Sequence, residues 1–144
     1  MLVRCALLVV FSLLAATGCG GRTTPEAEVR SLIERVERAA QERDARGVLA
    51  EISPVYRDAY GHSREDVARL LRGYFLANQS ISLLTRIEAL DFPADDEARV
   101  TVLVAMLGRG ADAAHAWDMN ADLHRFEATI VREGGKWQIT WARW

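Results

Sequence analysis

The hydrophobic period of the sequence changes halfway along the chain, and this change restricts the folds that the chain can adopt. In most of residues 25–78, apart from 54–62, apolar side chains recur at the three- and four-residue spacing of amphipathic helices. Residues 98–106 and 124–130 instead repeat with a period of two, which places Ala98, Val100, Val102, Val104 and Met106 on one face, as in strands with one buried face. Helices followed by strands predict an α+β domain, in which three N-terminal helices pack on an antiparallel sheet of four or more strands.

The first two helices are predicted from their start signals. Thr24 provides a hydroxyl cap and Pro25 suits the first helical position, so the first helix should begin there and reach about Glu42. Asp44 can cap a shorter second helix, which is predicted to end before Pro54. The two helices would therefore follow each other directly along the chain.

The third helix has the clearest pattern in the chain. Ser63 and Asp66 form a capping box in its acidic variant, and the apolar residues after it keep helical spacing until about Asn78. Residues 54–62, which precede this helix, show no helical period and are interpreted as a loop or a short strand. The first half is thus predicted to be helical apart from this connection.

The second half is predicted to form a four-stranded antiparallel meander. Gly108–Gly110 is expected to end the second strand, and Gly134-Gly135 fits the tight hairpin turn before the last one. Alternation along the last strand would place Trp137 and Trp141 on the same face. The predicted strands span residues 80–92, 98–106, 124–130 and 136–144.

The start of the chain has the pattern of a cleavable bacterial export signal. Arg4 gives a positive start, and residues 5–16 form an apolar run too short for a bilayer, which needs about 20 apolar residues. Ala16-Thr17-Gly18-Cys19 then resembles a lipobox, the recognition sequence of the lipoprotein signal peptidase. Small residues suit the peptidase cleft, and the Cys19 thiol would become the thioether to diacylglycerol. A plain secretory signal with an accidental cysteine is the alternative.

The lipobox pattern divides the chain into three parts. Residues 1–18 are predicted as the signal peptide, residues 19–24 as a lipidated tether and residues 25–144 as one folded domain. A diacylated or triacylated Cys19 would attach the protein stably to a membrane without a transmembrane helix. Gly20, rather than Asp, after the cysteine favours the outer membrane of a host with two membranes, so the domain is expected to face the periplasm.

Composition and motif content disfavour several classes of function. The formal net charge is −2 and the arginines are spread between glutamates, so nucleic acid is not an expected partner. The sequence contains no phosphate loop, dinucleotide fingerprint or nucleophile elbow, and no two histidines stand at metal-ligand spacing, so we expect neither a cofactor nor a metal. Cys5 would leave with the signal, which gives Cys19 no partner for a disulfide.

Four segments together resemble the nuclear transport factor 2-like superfamily, which includes the SnoaL-like cyclases and the ketosteroid isomerases. They are the paired helices Glu28–Ile52, the bend Tyr56–Gly61, the third helix Ser63–Phe75 and the closing strand Gly134–Trp144. The chain also resembles a group of proteobacterial lipoproteins within that superfamily. The resemblance implies a sheet curled into a cone, with helices against its concave face and an open end that often holds a small apolar ligand. Many members have a strand hairpin between the second and third helices, for which this chain offers only residues 54–62.

Two residues are candidates for acid–base catalysis. His124 alternates with Phe126, so it should face the concave side, where it is either a general base or a histidine of the core or rim. The resemblance to the isomerases makes Asp58 a candidate acid, although the isomerase pattern does not match residue by residue. Alternatively, Asp58 accepts hydrogen bonds from the backbone of a tight bend that Gly61 ends.

A set of aromatic side chains is predicted to line a ligand pocket in the cone: Tyr56, Tyr60, Phe126, Trp137 and Trp141. Aromatic residues at period two on a sheet also commonly belong to the core, so both interpretations remain open at this point. Trp117, in the irregular segment before the third strand, would cover the mouth of the cone, contact a second subunit or pack into the core.

The leading hypothesis from the sequence is an envelope lipoprotein that binds a small apolar ligand or a partner protein without catalysis. The alternative is a small enzyme of SnoaL or ketosteroid-isomerase type that uses His124 or Asp58. A third hypothesis is a structural module that forms a homodimer through the outer face of the sheet. That face is predicted to be mostly polar and to carry Arg99, Thr101, Arg125, Glu127 and Thr129.

Overall fold

The computed structural model describes residues 23–110 and 121–144. Cys19, the predicted signal peptide and Trp117 lie outside these described residues. The described part of the chain contains eight elements: α1 Pro25–Gln41, α2 Ala45–Ala50, β1 Ile52–Asp58, α3 Arg64–Ala77, β2 Asn78–Ala94, β3 Glu97–Gly110, β4 Ala121–Glu133 and β5 Lys136–Arg143. No helix among these elements is long and apolar enough to cross a membrane.

The strands form one sheet in the order β1-β5-β4-β3-β2. The predicted antiparallel meander is confirmed, because β2, β3, β4 and β5 each pair antiparallel with the next strand. The prediction of a purely antiparallel sheet is wrong at one edge, where β1 pairs parallel with β5 and Ile52 stands opposite Ile139. The three predicted helices are present, but β1 lies between the second and the third.

The sequence pattern does not distinguish a strand from a loop at β1, because only some of its buried side chains are apolar. A proline inside a strand is tolerated at a sheet edge, and β1 with Pro54 is such an edge strand. Two of its four buried side chains are polar, so the apolar–polar alternation that marks a strand is missing. The four buried residues are Ile52, Ser53, Tyr56 and Asp58.

Several predicted boundaries differ from the structure, and pairing in the sheet explains two of them. The helix α2 ends at Ala50, earlier than predicted, because Ile52 is already paired in the sheet. The strand β3 continues through Gly108 to Gly110 instead of ending there, because its backbone pairs with the start of β2, where Gly108 stands opposite Ile81. Pairing with a neighbouring strand thus outweighs the weak strand preference of glycine.

Two of the three predicted helix caps are confirmed. The Thr24 hydroxyl accepts a hydrogen bond from the backbone N–H of Ala27 at 3.2 Å. In the capping box, the Ser63 hydroxyl accepts from the Asp66 backbone at 3.3 Å, and the Asp66 carboxylate accepts from the Ser63 backbone at 2.8 Å. Asp44 occupies the N-cap position of α2, as predicted, but its side chain makes no capping hydrogen bond there.

The main core lies where α1 crosses the concave face of the sheet. Val29 and Leu32 of α1 are fully buried there, and burying one such side chain contributes roughly 1.5–3 kcal/mol. They pack in one cluster with the concave-facing residues Ala98, Val100, Val102, Ile130 and Trp137. The predicted alternation on β3 and β4 is confirmed by this cluster.

A bulge in β5 changes which side chains face the concave side. The register skips Thr140, since the consecutive residues Thr129 and Ile130 pair with Trp141 and Ile139 respectively. One inserted residue reverses the alternation of the side chains beyond it. The prediction that the two tryptophans of β5 share a face is therefore wrong.

The outer face of the sheet is less polar than predicted. Its charged residues form surface ion pairs, such as Arg125 with Glu88 at 2.9 Å. Leu84 and Leu123 nevertheless expose about two thirds of their surface, and Ala105 lies between them in the register. These three residues form a short apolar row across β2, β3 and β4.

Candidate functional site

A cavity of about 530 Å³ lies between the helices and the concave face of the sheet. All three helices and all five strands of the described chain contribute to its wall. Most of the described lining side chains are wholly apolar, and six carry a nitrogen or oxygen atom: Glu37, Tyr56, Tyr74, Thr85, His124 and Trp144. A wall of this composition suits a molecule that is itself mostly apolar.

The helices α1 and α3 each present one apolar stripe to this cavity. Ile33, Val36 and Ala40 of α1 line it at three- and four-residue spacing, as the amphipathic pattern predicts. Within α3, Phe75 is the one buried residue, whereas Leu70 lines the cavity and is still 52% exposed. The helix α3 therefore covers a space above the sheet without filling it.

His124 and Phe126 lie in the cavity wall, on the concave side of β4, where the sequence placed them. Their neighbours across β3 are Val104 and Val102, and the two rings meet edge to face with centroids 6.3 Å apart. Among the described residues, none forms a hydrogen bond with the His124 ring. Its ring nitrogens are thus not used by the described part of the protein.

Tyr56 presents the most enclosed polar group of the cavity wall. Its side chain lines the cavity and is only 2% exposed, and within residues 23–110 and 121–144 its hydroxyl has no hydrogen-bond partner. Burial raises the pKa of the Tyr56 phenol, and the negative charge of Asp58 raises it further. The hydroxyl therefore stays protonated and can donate a hydrogen bond to an acceptor inside the cavity.

Asp58 lies at the end of β1 and is not among the residues that line the cavity. Its carboxylate is buried and accepts hydrogen bonds from the backbone N–H groups of Tyr60 and His62, both at 2.8 Å. The His62 ring lies 2.7 Å from its other oxygen. Burial alone would raise the pKa of Asp58, but these hydrogen bonds outweigh it and lower the pKa. The geometry matches the alternative interpretation, in which Asp58 organises the bend.

Two aromatic residues predicted for the pocket, Tyr60 and Trp137, are also absent from the cavity wall. Tyr60 is 66% exposed, and its hydroxyl donates to the backbone oxygen of Trp144 at 2.9 Å. Trp137 is buried in the main core, where its indole N–H donates to Glu28 at 2.7 Å and the Arg132 guanidinium lies over its ring. Both side chains support the fold instead of the cavity.

Trp144 occupies the place in the wall that the sequence assigned to Trp141. Because of the bulge at Thr140, Trp141 pairs with Thr129 on the outer-facing phase of β4 and does not line the cavity. Trp144 lines it and packs on the ring of Phe126. The sequence contains no signal for the skipped residue Thr140, so it does not predict which side chains after the bulge face the cavity.

Glu37 was also missed, although its position in the helix could have revealed it. It stands four residues after Ile33 and three before Ala40, within the stripe of α1 that lines the cavity. Its carboxylate accepts one hydrogen bond from the Thr85 hydroxyl and a second one from the Gln41 amide at 3.4 Å. An acidic residue inside an apolar helical stripe is the signal that points to this position.

No cluster of metal ligands is present in the described part of the chain. Residues 23–110 and 121–144 contain no group of three histidine, cysteine, aspartate or glutamate side chains placed to hold a metal ion. The cavity instead combines an apolar wall with a phenol, an imidazole and a carboxylate. This set can bind and orient an organic molecule.

No protein-family model matches the sequence, and no curated protein matches it. Solved structures do match. A Novosphingobium aromaticivorans protein that is provisionally assigned as a scytalone dehydratase has a TM-score of 0.69 and 14% identity, covering 81% of this chain and 80% of its own. A second protein from that organism is provisionally assigned as an aromatic ring hydroxylase. It has a TM-score of 0.65 and 15% identity, and the match covers 80% of this chain and 83% of the hydroxylase chain.

Two further matches have no assigned activity. An NTF2-like protein of unknown function from Shewanella oneidensis has a TM-score of 0.61 and 15% identity, covering 83% of this chain and 97% of its own. A domain from Nostoc punctiforme with a cystatin-like fold has a TM-score of 0.65 and 14% identity, and the match covers 81% of this chain and 74% of the Nostoc chain. Together with the curved sheet and the helices that cover it, these matches show that the chain has the nuclear transport factor 2-like, or cystatin-like, fold.

Proposed function

We propose that this chain is a lipoprotein of the bacterial envelope whose domain binds a small, mostly apolar ligand without catalysing a reaction on it. The observation that carries this proposal is the apolar cavity of about 530 Å³ under α1 and α3. Ligand sites commonly enclose about 300–1,000 Å³ and combine apolar walls with a few polar groups. Each Å² of apolar surface removed from water on binding contributes roughly 25 cal/mol.

Tyr56 suggests one polar feature of this ligand. Its phenol lines the cavity and forms no hydrogen bond with a described residue, so a ligand oxygen beside Tyr56 could accept a hydrogen bond from it. Asp58, in contrast, is held by hydrogen bonds in the bend and has no place in the cavity wall. The absence of this candidate acid from the described wall supports binding over an isomerase-type reaction.

The proposed location rests on the start of the sequence. Acylation of Cys19 would leave residues 19–24 as the tether, because α1 begins at Pro25. Six extended residues span at most about 20 Å, so the domain would stay close to the membrane surface. With Gly20 after the cysteine, we place it on the periplasmic side of the outer membrane.

Ligand binding can be tested with a variant that fills the cavity. The full chain with Cys19→Ser, which removes the proposed acylation site, is titrated with the neutral apolar dye N-phenyl-1-naphthylamine. Val104→Trp adds an indole to the cavity wall, whereas Leu103→Trp places it on the opposite face of β3 as a matched control. We expect dye affinity to fall at least tenfold in Val104→Trp and to change less than twofold in Leu103→Trp.

A second cavity variant protects this test against misfolding. Ala128→Leu adds less volume at another lining position and should weaken dye binding by a smaller factor. Circular dichroism identifies any variant that has lost its structure. Equal dye binding in the wild type and both folded cavity variants, or no binding in the wild type, would overturn the proposal.

The anchor is tested separately from the cavity. Cells that express the full chain are labelled with radioactive palmitate, and their membranes are fractionated. We expect label on the wild-type protein in the outer-membrane fraction. Cys19→Ser should lose both the label and the membrane attachment. A labelled or membrane-attached Cys19→Ser protein would contradict the proposed acylation.

The second candidate function is an acid–base enzyme that uses His124. This candidate is favoured by one observation: the ring lines the same cavity as the Tyr56 phenol and has no hydrogen-bond partner among the described residues. Native mass spectrometry of the protein from its host membrane would identify a bound molecule and also show a homodimer or a protein partner. Conversion of that molecule by the wild type but not by His124→Gln would favour the enzyme, whereas unchanged ligand would favour binding alone.

A further inference from the structure

Glu37 places a carboxylate in the wall of a cavity that is otherwise almost wholly apolar. Its side chain is half-buried, and its two hydrogen-bond donors are the Thr85 hydroxyl and the Gln41 amide. Both donors are neutral. A carboxylate offers about four acceptor sites, so these two bonds leave acceptor capacity for a further donor.

No ion pair with a described residue holds this carboxylate. None of the described lining residues is a lysine or an arginine, and Glu37 forms no ion pair with any described residue. The other ionisable side chains of the described wall are His124, Tyr56 and Tyr74. Charges interact more strongly in apolar surroundings than in water, because the effective dielectric constant is lower there. The cavity therefore favours a cation over an anion of the same shape.

We infer that the ligand is a lipophilic amine, an apolar molecule with a protonated nitrogen that binds beside Glu37. This inference rests on the proposed binding function and specifies the chemical class of its ligand. The ammonium group would donate hydrogen bonds to the free acceptor sites of the carboxylate while the apolar body fills the cavity. A fatty acid of the same length would bring a second negative charge to the same site, which is unfavourable.

Three ligands that differ only in their headgroup test this inference. Decylamine, decanol and decanoate share one chain and are cationic, neutral and anionic near pH 7. Each displaces N-phenyl-1-naphthylamine from the full chain that carries Cys19→Ser. We expect decylamine to bind about tenfold more tightly than decanol, and decanoate about tenfold more weakly, where each factor corresponds to about 1.4 kcal/mol.

Glu37→Gln isolates the contribution of the carboxylate. The amide keeps an acceptor for the Thr85 hydroxyl but carries no charge, so the three ligands should bind within about twofold of one another. Unchanged decanol affinity shows that the variant cavity is intact. Glu34→Gln is the matched control, because this exposed carboxylate lies one turn earlier on α1 and outside the cavity wall. It should keep the wild-type order.

The outcomes separate this inference from the proposed function. Equal binding of the three ligands by the wild type, or the wild-type order in Glu37→Gln, would overturn the preference for amines and leave apolar binding standing. If neither the dye nor any of the three ligands binds, the proposed function falls, and the inference falls with it.

Discussion

The indole ring of Trp144 stacks on the phenyl ring of Phe126, with centroids 6.0 Å apart and ring planes inclined by 26°. Both rings line the cavity, and the Tyr60 hydroxyl holds the backbone of Trp144 from outside. Such aromatic pairs contribute about 0.5–1.5 kcal/mol beyond the area that they bury. Trp144 and Phe126 therefore form one part of the proposed ligand site.

Trp144→Ala should weaken binding of N-phenyl-1-naphthylamine by about fivefold to twentyfold. The change removes a ring from the cavity wall and leaves the face of Phe126 open to water. Trp141→Ala is the control, because the bulge in β5 keeps Trp141 out of the wall. Dye titration of both variants checks this, and an equal loss in the two would contradict the strand phase described above.

Asp58→Asn should lower the free energy of unfolding at pH 7 by about 1.5–3 kcal/mol, because three hydrogen bonds to a buried carboxylate are weakened. The pKa of Asp58 is lowered in the fold, so its charged form stabilises the protein above the unfolded value of about 3.9. This stabilisation is lost as the pH falls through the folded pKa.

Urea denaturation at several pH values measures this effect. The difference between the wild type and Asp58→Asn should shrink as the pH is lowered below about 4. Asp91→Asn, which changes an exposed carboxylate on β2, should show a small difference throughout. A difference between wild type and Asp58→Asn that does not vary with pH would exclude ionised Asp58 as its source.

Ser63→Ala should raise the pKa of Asp66 from about 2 toward its ordinary value. The hydrogen bond from the Ser63 hydroxyl is the largest cause of the lowered pKa, followed by the bond from the Ser63 backbone N–H. Loss of the cap should also cost the fold about 0.5–2 kcal/mol. A carboxyl NMR titration measures the pKa, and Ser63→Thr, which keeps the hydroxyl, should leave it near 2. An unchanged pKa in Ser63→Ala would refute the capping box as its cause.

Trp137→Phe should reduce stability without affecting the cavity. The variant loses the 2.7 Å hydrogen bond from the indole N–H to the Glu28 carboxylate, which is worth about 1.5–3 kcal/mol. Trp137 does not line the cavity, so dye affinity should change less than twofold. Urea denaturation and dye titration are measured on the same sample. A large loss of dye affinity in a folded variant would place Trp137 in the site after all.

The sequence predicts those elements in which one hydrophobic period continues without interruption. The spacing along α1 and α3 and the alternation along β3 and β4 each identify correctly the side that faces the core or the cavity. His124 and Phe126 were placed for this reason, since β4 pairs with β3 in continuous register from Glu97 to Leu107. In these elements, local spacing and tertiary burial agree.

The positions of the remaining site residues depend on structural features, such as a bulge and a hydrogen-bonded bend, that are not evident from a single sequence. The bulge at Thr140 exchanges Trp141 for Trp144 in the wall, and no residue type marks it. Asp58 is buried because a bend supplies its hydrogen-bond donors, a feature that becomes visible only when the backbone is placed. Glu37 carries a signal, but a charged residue in a helix usually faces solvent.

The parallel pairing of β1 with β5 joins two strands that lie far apart in the sequence. Ile52 and Ile139 stand opposite each other although 87 positions separate them along the chain. Contacts between such distant residues slow folding, because a long loop must close before the contact is gained. A nascent chain that has not yet reached β5 has an unpaired strand edge, which is prone to aggregation. The time at which β5 becomes available thus determines when the wall of the cavity can first be complete.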